Sequence, residues 1–361
     1  MKKILAICTS PDKGGLELYF VKLANYYYKN NSNIISLCQW DSSISKIINS
    51  PIIYISKTSF INVWVKAYLI SRKVKNQNIS IIHVSWTKDL LLAVLIKLFS
   101  KRKINIIYYR QMKITRDKKD IYHKFIYRNI SKVLVITNQL KEDCQKYLPI
   151  SNKKIIHLKY GIEIPNIPTS ITKENFLKKY NLKENNFIIG VFSRVEEQKG
   201  QHLVLDALNL INKDDIKLLI VGHCMDSEYI DRLSNMIKDY NLQDNVSIVP
   251  FIESPMEIMS FLNLVILPTY EETFGLVVAE SMLMETAVIG SNAGGVPEII
   301  QDGFNGLLFK TKDYKSLKNK IIDIYSSEEL KNKLSYNAKI FAIENYDYQM
   351  HFSKLNKILS M

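Results

Sequence analysis

No apolar run in this chain approaches the length that crosses a bilayer. The longest candidate, Leu90 to Ile96, is ended by Lys97. A secretory leader is not expected either. The opening Met1-Lys-Lys-Ile-Leu-Ala-Ile-Cys8 has a basic start and an apolar stretch, but it is too short. Ser10-Pro-Asp-Lys-Gly-Gly15 follows where a cleavage site would stand, so a first buried strand is the better reading. There is no Cys-x-x-Cys. Four cysteines, Cys8, Cys38, Cys144 and Cys224, lie far apart. That pattern excludes neither a single disulfide nor a reactive thiol, and it favours reduced, mostly buried cysteines in a cytosolic protein. Short-period repeats and low-complexity tracts are absent. So is Gly-x-Gly-x-x-Gly spacing after the first strand, which weakens a nicotinamide-cofactor reading.

What is present is enough for two domains. The chain has 361 residues, and its 47% apolar content can bury a core in each. Charge is unevenly spread. Residues 1–165 hold 29 Lys+Arg against 9 Asp+Glu, a balance of +20. Residues 166–361 hold 20 against 26, a balance of −6. The basic half suits contact with an anionic partner: nucleic acid, anionic lipid or a phosphorylated acceptor. A chain rich in Lys, Asn and Ile throughout would explain abundant lysine, but not this asymmetry.

Short β-branched runs alternate with helical patterns. In the first half the expected strands are 3–8, 33–39, 52–55, 79–84, 105–110, 133–137 and 154–159. The helices between them are expected at 17–29, 62–75, 88–100, 118–129 and 139–147. Such alternation implies parallel strands with crossovers. Pro165 and Pro168 mark a change of character, and the pattern restarts at Phe187. The expected organisation is therefore a domain at 1–163, a linker at 164–186, a second domain at 187–340, and a C-terminal helix at 341–361 that crosses back to the first. The fold class is α/β, two Rossmann-like doubly wound parallel sheets. Ligands of such sheets bind beyond the carboxyl ends of the strands, here in the cleft between the domains.

The most telling segment is Glu272-Thr-Phe-Gly-Leu-Val-Val-Ala-Glu280. It follows a buried-strand pattern, Leu264 to Thr269, and runs into a helical one, Leu276 to Met284. A strand–glycine loop–helix aims backbone N–H groups and a positive dipole end at whatever sits above it. Two carboxylates beside that anion site can bond hydroxyls, which suits a phosphate-bearing sugar. Taken alone, Glu272 could cap the helix and Glu280 could be a solvated helix residue. Ser291-Asn-Ala-Gly-Gly-Val-Pro-Glu-Ile299 follows one short strand later. With both segments in order, the chain resembles the retaining glycosyltransferases of family four, which have the GT-B fold. Their C-terminal signature is an E-x-F-G-L…E segment followed by G-G-x-P-E.

Further segments extend the resemblance. Arg194-Val-Glu-Glu-Gln-Lys199-Gly200 matches the family's R-x-x-x-x-K-G pattern, at the carboxyl end of the strand expected to open the second domain. Two cations there form an anion site by geometry: arginine grips a phosphate with parallel bonds, and lysine adds a point charge. The resemblance assigns Arg194 and Lys199 to the leaving diphosphate, whose growing charge fixed cations stabilise most in the transition state. It also implies that Glu280 binds ribose hydroxyls and that Glu272 binds the transferred sugar. Main-chain groups around Phe274, Gly275 and Leu276 would meet phosphate or sugar. Phe251 and Ile252 would hold the base, largely through main chain, although the family's usual glycine there is missing. Gly14 and Gly15 match the family's glycine loop after the first strand, where donor and acceptor come close; as residues alone they equally fit an ordinary tight turn. No convincing Asp-x-Asp follows a strand, so no metal and no cofactor are expected.

The acceptor side is read from the basic half. Arg110 ends a strand where many family members carry histidine, and a permanently charged group cannot be a general base. With Lys113 and Arg116 it could orient a phosphate or an acid, or the stretch from Arg110 to His123 is a solvated loop and helix. His83 is read as a strand residue. The helix at 62–75 places Val63, Trp64, Ala67, Tyr68 and Ile70 on one side and Lys66, Arg72, Lys73 and Lys75 elsewhere. It either packs on its sheet or lies on an anionic membrane.

The resulting expectation is a retaining, hexosyl-type glycosyltransferase. It moves sugar from a UDP- or GDP-sugar to a glycan or anionic glycolipid, in bacterial lipopolysaccharide or surface polysaccharide synthesis. It is expected in the cytoplasm, peripheral at the inner face of the membrane, and without nucleic acid. The alternatives are another GT-B nucleotide-sugar enzyme, an epimerase or phosphorylase, and a non-catalytic nucleotide-binding scaffold.

Overall fold

The computed structural model describes residues 2–30, 33–165 and 172–360. Two units divide the chain: Met1–Lys159 with Phe352–Met361, and Tyr160–His351. Each is a parallel sheet with crossover helices, as the alternation implied. Of the expected linker at 164–186, residues 166–171 with Pro168 lie outside the described residues.

The first unit runs β1 (Lys3–Cys8), α1 (Gly15–Lys29), β2 (Ile34–Gln39), β3 (Ile52–Ile55), α2 (Val63–Asn76), β4 (Ile79–Val84) and α3 (Leu90–Ser100). It continues through β5 (Asn105–Arg110), α4 (Ile121–Arg128), β6 (Lys132–Val135), α5 (Asn138–Tyr147) and β7 (Ile155–His157). The strand order is β3-β2-β1-β4-β5-β6-β7, so the chain reverses direction across the sheet between β1 and β4. At that point Asp89 is wholly buried and accepts hydrogen bonds from the Thr9 backbone N–H (2.8 Å) and the Thr9 hydroxyl. This holds the start of the glycine loop. The helix expected from Lys88 begins at Leu90, after a 3₁₀ turn, Thr87–Asp89, that carries this carboxylate.

Two expectations for this unit are corrected. The helix expected from Lys118 starts only at Ile121, because Asp120 caps it by accepting from the His123 backbone N–H at 3.0 Å. On α2, Trp64 and Tyr68 do not share the packed side. Val63, Ala67, Ile70, Ser71 and Val74 are buried, whereas Trp64 and Tyr68 face outward.

The second unit runs α6 (Lys173–Lys179), β8 (Phe187–Phe192), α7 (Gln201–Ile211), β9 (Ile216–Val221), α8 (Ser227–Asp239), β10 (Val246–Val249), α9 (Met256–Met259) and β11 (Leu264–Leu267). Then come α10 (Leu276–Leu283), β12 (Ala287–Ser291), β13 (Leu307–Phe309), α11 (Tyr314–Ser326) and α12 (Glu328–Tyr346), and the last helix, α13 (Tyr348–Ser360), begins in this unit and belongs to the first from Phe352 onward. The second unit's strand order is β10-β9-β8-β11-β12-β13. All six residues of β8 are buried, which suits a central parallel strand covered on both faces. Its residues Phe187, Ile189 and Val191 pack with Leu203 and Ala207 of α7 and with Leu317 and Ile321 of α11. Phe176 of α6 lies against Phe261, with ring centroids 5.4 Å apart.

Three cysteines, Cys8, Cys38 and Cys144, are buried thiols, and Cys224 is exposed. No helix among the described residues is long and apolar enough to cross a membrane.

Candidate active site

Strands β8 and β11 are neighbours, and the strand order reverses between them. Ligands of open α/β sheets bind at such a switch point, beyond the strands' carboxyl ends. The loops that leave β8, β11 and β12 there are tied together mostly by main chain. Tyr270 donates its backbone N–H to the Gln198 carbonyl (2.9 Å), and Gly295 donates to the Glu272 carbonyl (2.8 Å). Two glycines make this possible. A Cβ on Gly200 (φ +72°) would lie 2.2 Å from the Pro268 carbonyl oxygen. One on Gly294 (φ +54°) would lie 2.0 Å from that of Glu272. Both residues therefore need left-handed backbone and the absence of a side chain.

Within this frame Lys199 and Glu272 meet directly. Lys199 ends a one-turn 3₁₀ helix, Glu197–Lys199, and its Nζ donates to Glu272 Oε2 at 3.0 Å. Glu272 Oε1 accepts the Thr273 backbone N–H at 3.0 Å. Arg194 is more open, with its side chain 57% exposed and its Nη2 paired to Glu196 Oε1 at 2.9 Å. Gly275 caps α10 in the left-handed region, Leu276 opens that helix, and Glu280 sits half-buried one turn further on. The Phe274 ring is an anchor: it is buried against Tyr160 and Tyr346, with centroids 5.2 and 5.4 Å away. Its backbone is left to serve the loop.

Past β10, Phe251 is 39% exposed and stacks on His223, 4.6 Å between centroids and 14° between planes. Ile252 beside it is half-buried. His223 was not anticipated, and a lone histidine after a strand gave no signal for it.

A second unanticipated feature lies beneath the loops. Buried His202 bonds Tyr229 OH through Nδ1 (2.8 Å) and Tyr270 OH through Nε2 (2.7 Å). Burial, and then the field of Arg232, lower its pKa. Tyr229 OH continues to Gln201 Oε1 (3.2 Å), and Gln201 Nε2 donates to the Arg194 carbonyl (2.8 Å). One polar chain thus ties the Arg194 loop to the Tyr270 loop. Two adjacent polar residues at a helix start, Gln201 and His202, were its only trace in sequence.

The remaining expected site residues belong to the first unit. Gly14 donates its N–H to Glu17 Oε2 (3.0 Å), and the space around Gly15 is open to a Cβ. Arg110 is buried; Nη1 donates to Tyr108 OH (3.0 Å) and Nη2 to the Lys113 carbonyl (2.9 Å). The Lys113 and Arg116 side chains are exposed. Lys118, partly buried, has its pKa lowered by desolvation and then by Arg110 and Arg116, so these cations crowd one another. His123 pairs with Asp120 as part of the α4 cap. His83 is buried in β4, as a strand residue should be. Among the described residues, no group of three or more His, Cys, Asp or Glu could hold a metal ion.

Residues 172–341 match the family described as glycosyl transferases group 1. A capsular polysaccharide biosynthesis glycosyltransferase of Staphylococcus aureus is 25% identical over 183 residues, 50% of this chain and 48% of that protein. The match thus spans about half of that relative's length. An O-antigen biosynthesis glycosyltransferase of Escherichia coli is 26% identical over 359 residues, covering 94% and 92% of the two chains. Among solved structures, Anabaena HepE in complex with UDP and glucose superposes with a TM-score of 0.87 at 20% identity, over 100% of both chains. Residues 172–341 are thus similar to glycosyl transferases group 1, and the fold of the chain, two Rossmann-like parallel-sheet units, is the GT-B fold of the solved structures it superposes on.

Proposed function

We propose that this protein is a glycosyltransferase that moves a hexosyl unit from a UDP- or GDP-sugar to a glycan or anionic glycolipid, with retention at the anomeric carbon. The observation that carries the reading is the Lys199–Glu272 contact at the β8/β11 switch point, beside the N-terminus of α10. In it a phosphate-type cation touches a hydroxyl-type acceptor. A nucleotide-sugar presents those two chemistries side by side.

The proposed division of work follows from charge. Arg194 and Lys199 receive the diphosphate, together with the N–H groups of Gly275 and Leu276. Glu272 accepts from sugar hydroxyls and Glu280 from the ribose. The exposed Phe251 face, backed by His223, takes the base, with Ile252 alongside. Gly14 and Gly15 admit the reacting groups, and Arg110, Lys113 and Arg116 attract the acceptor. The bond from anomeric carbon to phosphate oxygen breaks as the acceptor oxygen bonds the same face of that carbon. The acceptor's proton passes to the departing phosphate oxygen, so no protein base is required. Charge on the leaving group is met by Arg194 and Lys199, without a metal or cofactor.

The relatives' names support a role in surface polysaccharide or lipopolysaccharide assembly, and the UDP and glucose bound by Anabaena HepE support a nucleotide-sugar donor. The reading puts the enzyme at the cytoplasmic face of the membrane. A panel of UDP- and GDP-sugars, read by ligand-induced thermal shift and by turnover, tests it. One donor should raise the melting temperature, and Glu272→Gln should abolish its turnover. A panel with no response, or full turnover in that variant, would overturn the proposal.

A further inference from the structure

Helix α2 has two apolar faces: one is buried, and the other is largely open, with the Trp64 and Tyr68 rings meeting the partly exposed Phe99 of α3, 6.4 and 6.1 Å between centroids. Val63, Ala67, Ile70 and Val74 are buried against the first unit. On the other side Trp64, Val65, Tyr68 and Leu69 are 46%, 64%, 53% and 56% exposed. The turn before the helix adds Phe60 and Ile61, 70% and 88% exposed. Six large apolar side chains in ten residues is more than the scattered surface apolarity of a soluble protein.

The turn that presents Phe60 and Ile61 is braced. Asn62 Oδ1 accepts the Ser59 N–H (2.8 Å), and Asn62 Nδ2 donates to the Lys57 carbonyl (3.3 Å). Lys66 Nζ donates to the carbonyls of Ser56 (2.8 Å) and Lys57 (2.7 Å). The two side chains are thus held outward by a hydrogen-bonded turn.

Charge identifies the occupant. Arg72, Lys73 and Lys75 are exposed on the last turns of the same helix, and Arg72 continues the outer face four residues beyond Tyr68. Residues 42–116 contain 14 Lys+Arg and one acidic residue, Asp89, which is buried. An apolar face that ends in cations, within a segment stripped of exposed acids, complements an anionic bilayer. The rings and aliphatic chains enter the headgroup boundary, and the lysines and arginines meet lipid phosphates.

We infer that the outer face of α2 and the turn before it form a membrane-docking surface for anionic lipid. This deepens the proposed function by naming the surface that would meet the bilayer, and it rests on that reading only for the acceptor's being a lipid.

The test is flotation of the full chain with vesicles of phosphatidylcholine alone or with one third phosphatidylglycerol. The protein should float with the anionic vesicles, and added salt should release it, because exposed charges are screened. The triple variant Ile61→Asp, Val65→Asp, Leu69→Asp should lose roughly tenfold or more of the bound fraction. It should keep the melting temperature and the donor-induced thermal shift, since no changed residue is assigned to the active site. Wild-type protein left unbound by anionic vesicles would overturn the inference, as would a variant that floats equally well. A lipid-free dimer that the same variant splits to monomer would overturn it too, by showing that a second copy covers the face. If flotation behaves as expected while no donor shifts the protein, the docking surface stands and the proposed chemistry fails.

Discussion

Lys199 Nζ lies 3.0 Å from Glu272 Oε2, and the two residues come from loops at the ends of adjacent parallel strands. Their side chains are 17% and 23% exposed. The pair is half-buried but still within reach of water, and such a pair contributes about 1 kcal/mol to stability. Removing a cation aimed at a leaving diphosphate costs about 100–1000-fold in turnover. Lys199→Met should therefore leave the thermal midpoint nearly unchanged and cut transfer by about two to three orders of magnitude. Paired measurements of melting and turnover check this; a drop in both to the same degree would recast the pair as structural.

Gly294 gives the opposite signature. A Cβ there meets the Glu272 carbonyl oxygen, and the backbone is left-handed. Gly294→Ala should cost about 1–3 kcal/mol in urea unfolding and should displace Glu272 as well. Wild-type stability in that variant would mean that the β12 loop tolerates a shift the structure does not suggest.

Asp89 sets a pH dependence. Burial pushes its carboxyl up from 3.8 to about 6, although two bonds from Thr9 pull the other way. A raised folded-state pKa means that this group's favourable contribution is complete below pH 3.8 and is lost as pH rises through about 6. The loss is on the order of 3 kcal/mol. Asp89→Asn cannot titrate, so its stability relative to wild type should rise across that window. Urea titrations on either side of the window read the difference, and an unchanged gap would refute the assignment.

Phe251 should matter for affinity rather than for folding. Its ring is 39% exposed on one side and stacked on His223 on the other. Losing one base–aromatic stack costs about 1–3 kcal/mol. Calorimetric titration of Phe251→Ala with the donor found in the panel should show that loss, while Phe251→Tyr retains affinity. Unchanged binding in the alanine variant would place the base elsewhere.

Both sheets and the loops that carry Arg194 and Glu272 were legible because their signals are local. A buried apolar run followed within a few residues by a cation or a carboxylate, and then by a glycine, marks a strand's carboxyl end, as at Arg194 and Glu272. What escaped depends on distant partners. Nothing near Lys88 announces that Asp89 is drawn to Thr9, eighty positions away. The apolar positions of α2 were readable, but periodicity does not say which of two apolar faces a neighbour covers. The chain from Tyr270 through His202 to Gln201 joins residues that look ordinary one by one.

The loops around Lys199 and Glu272 are clasped by backbone contacts at Gly200 and Gly294, in addition to the Lys199–Glu272 pair and the buried His202 chain. The glycine contacts do not depend on the neighbouring exposed side chains. Side chains such as Thr273 and Leu276 can be exchanged with both glycine contacts left in place, whereas either glycine is held to its position by sterics. Under the proposed function, a search for new donor preference varies those side chains and leaves the two glycines untouched.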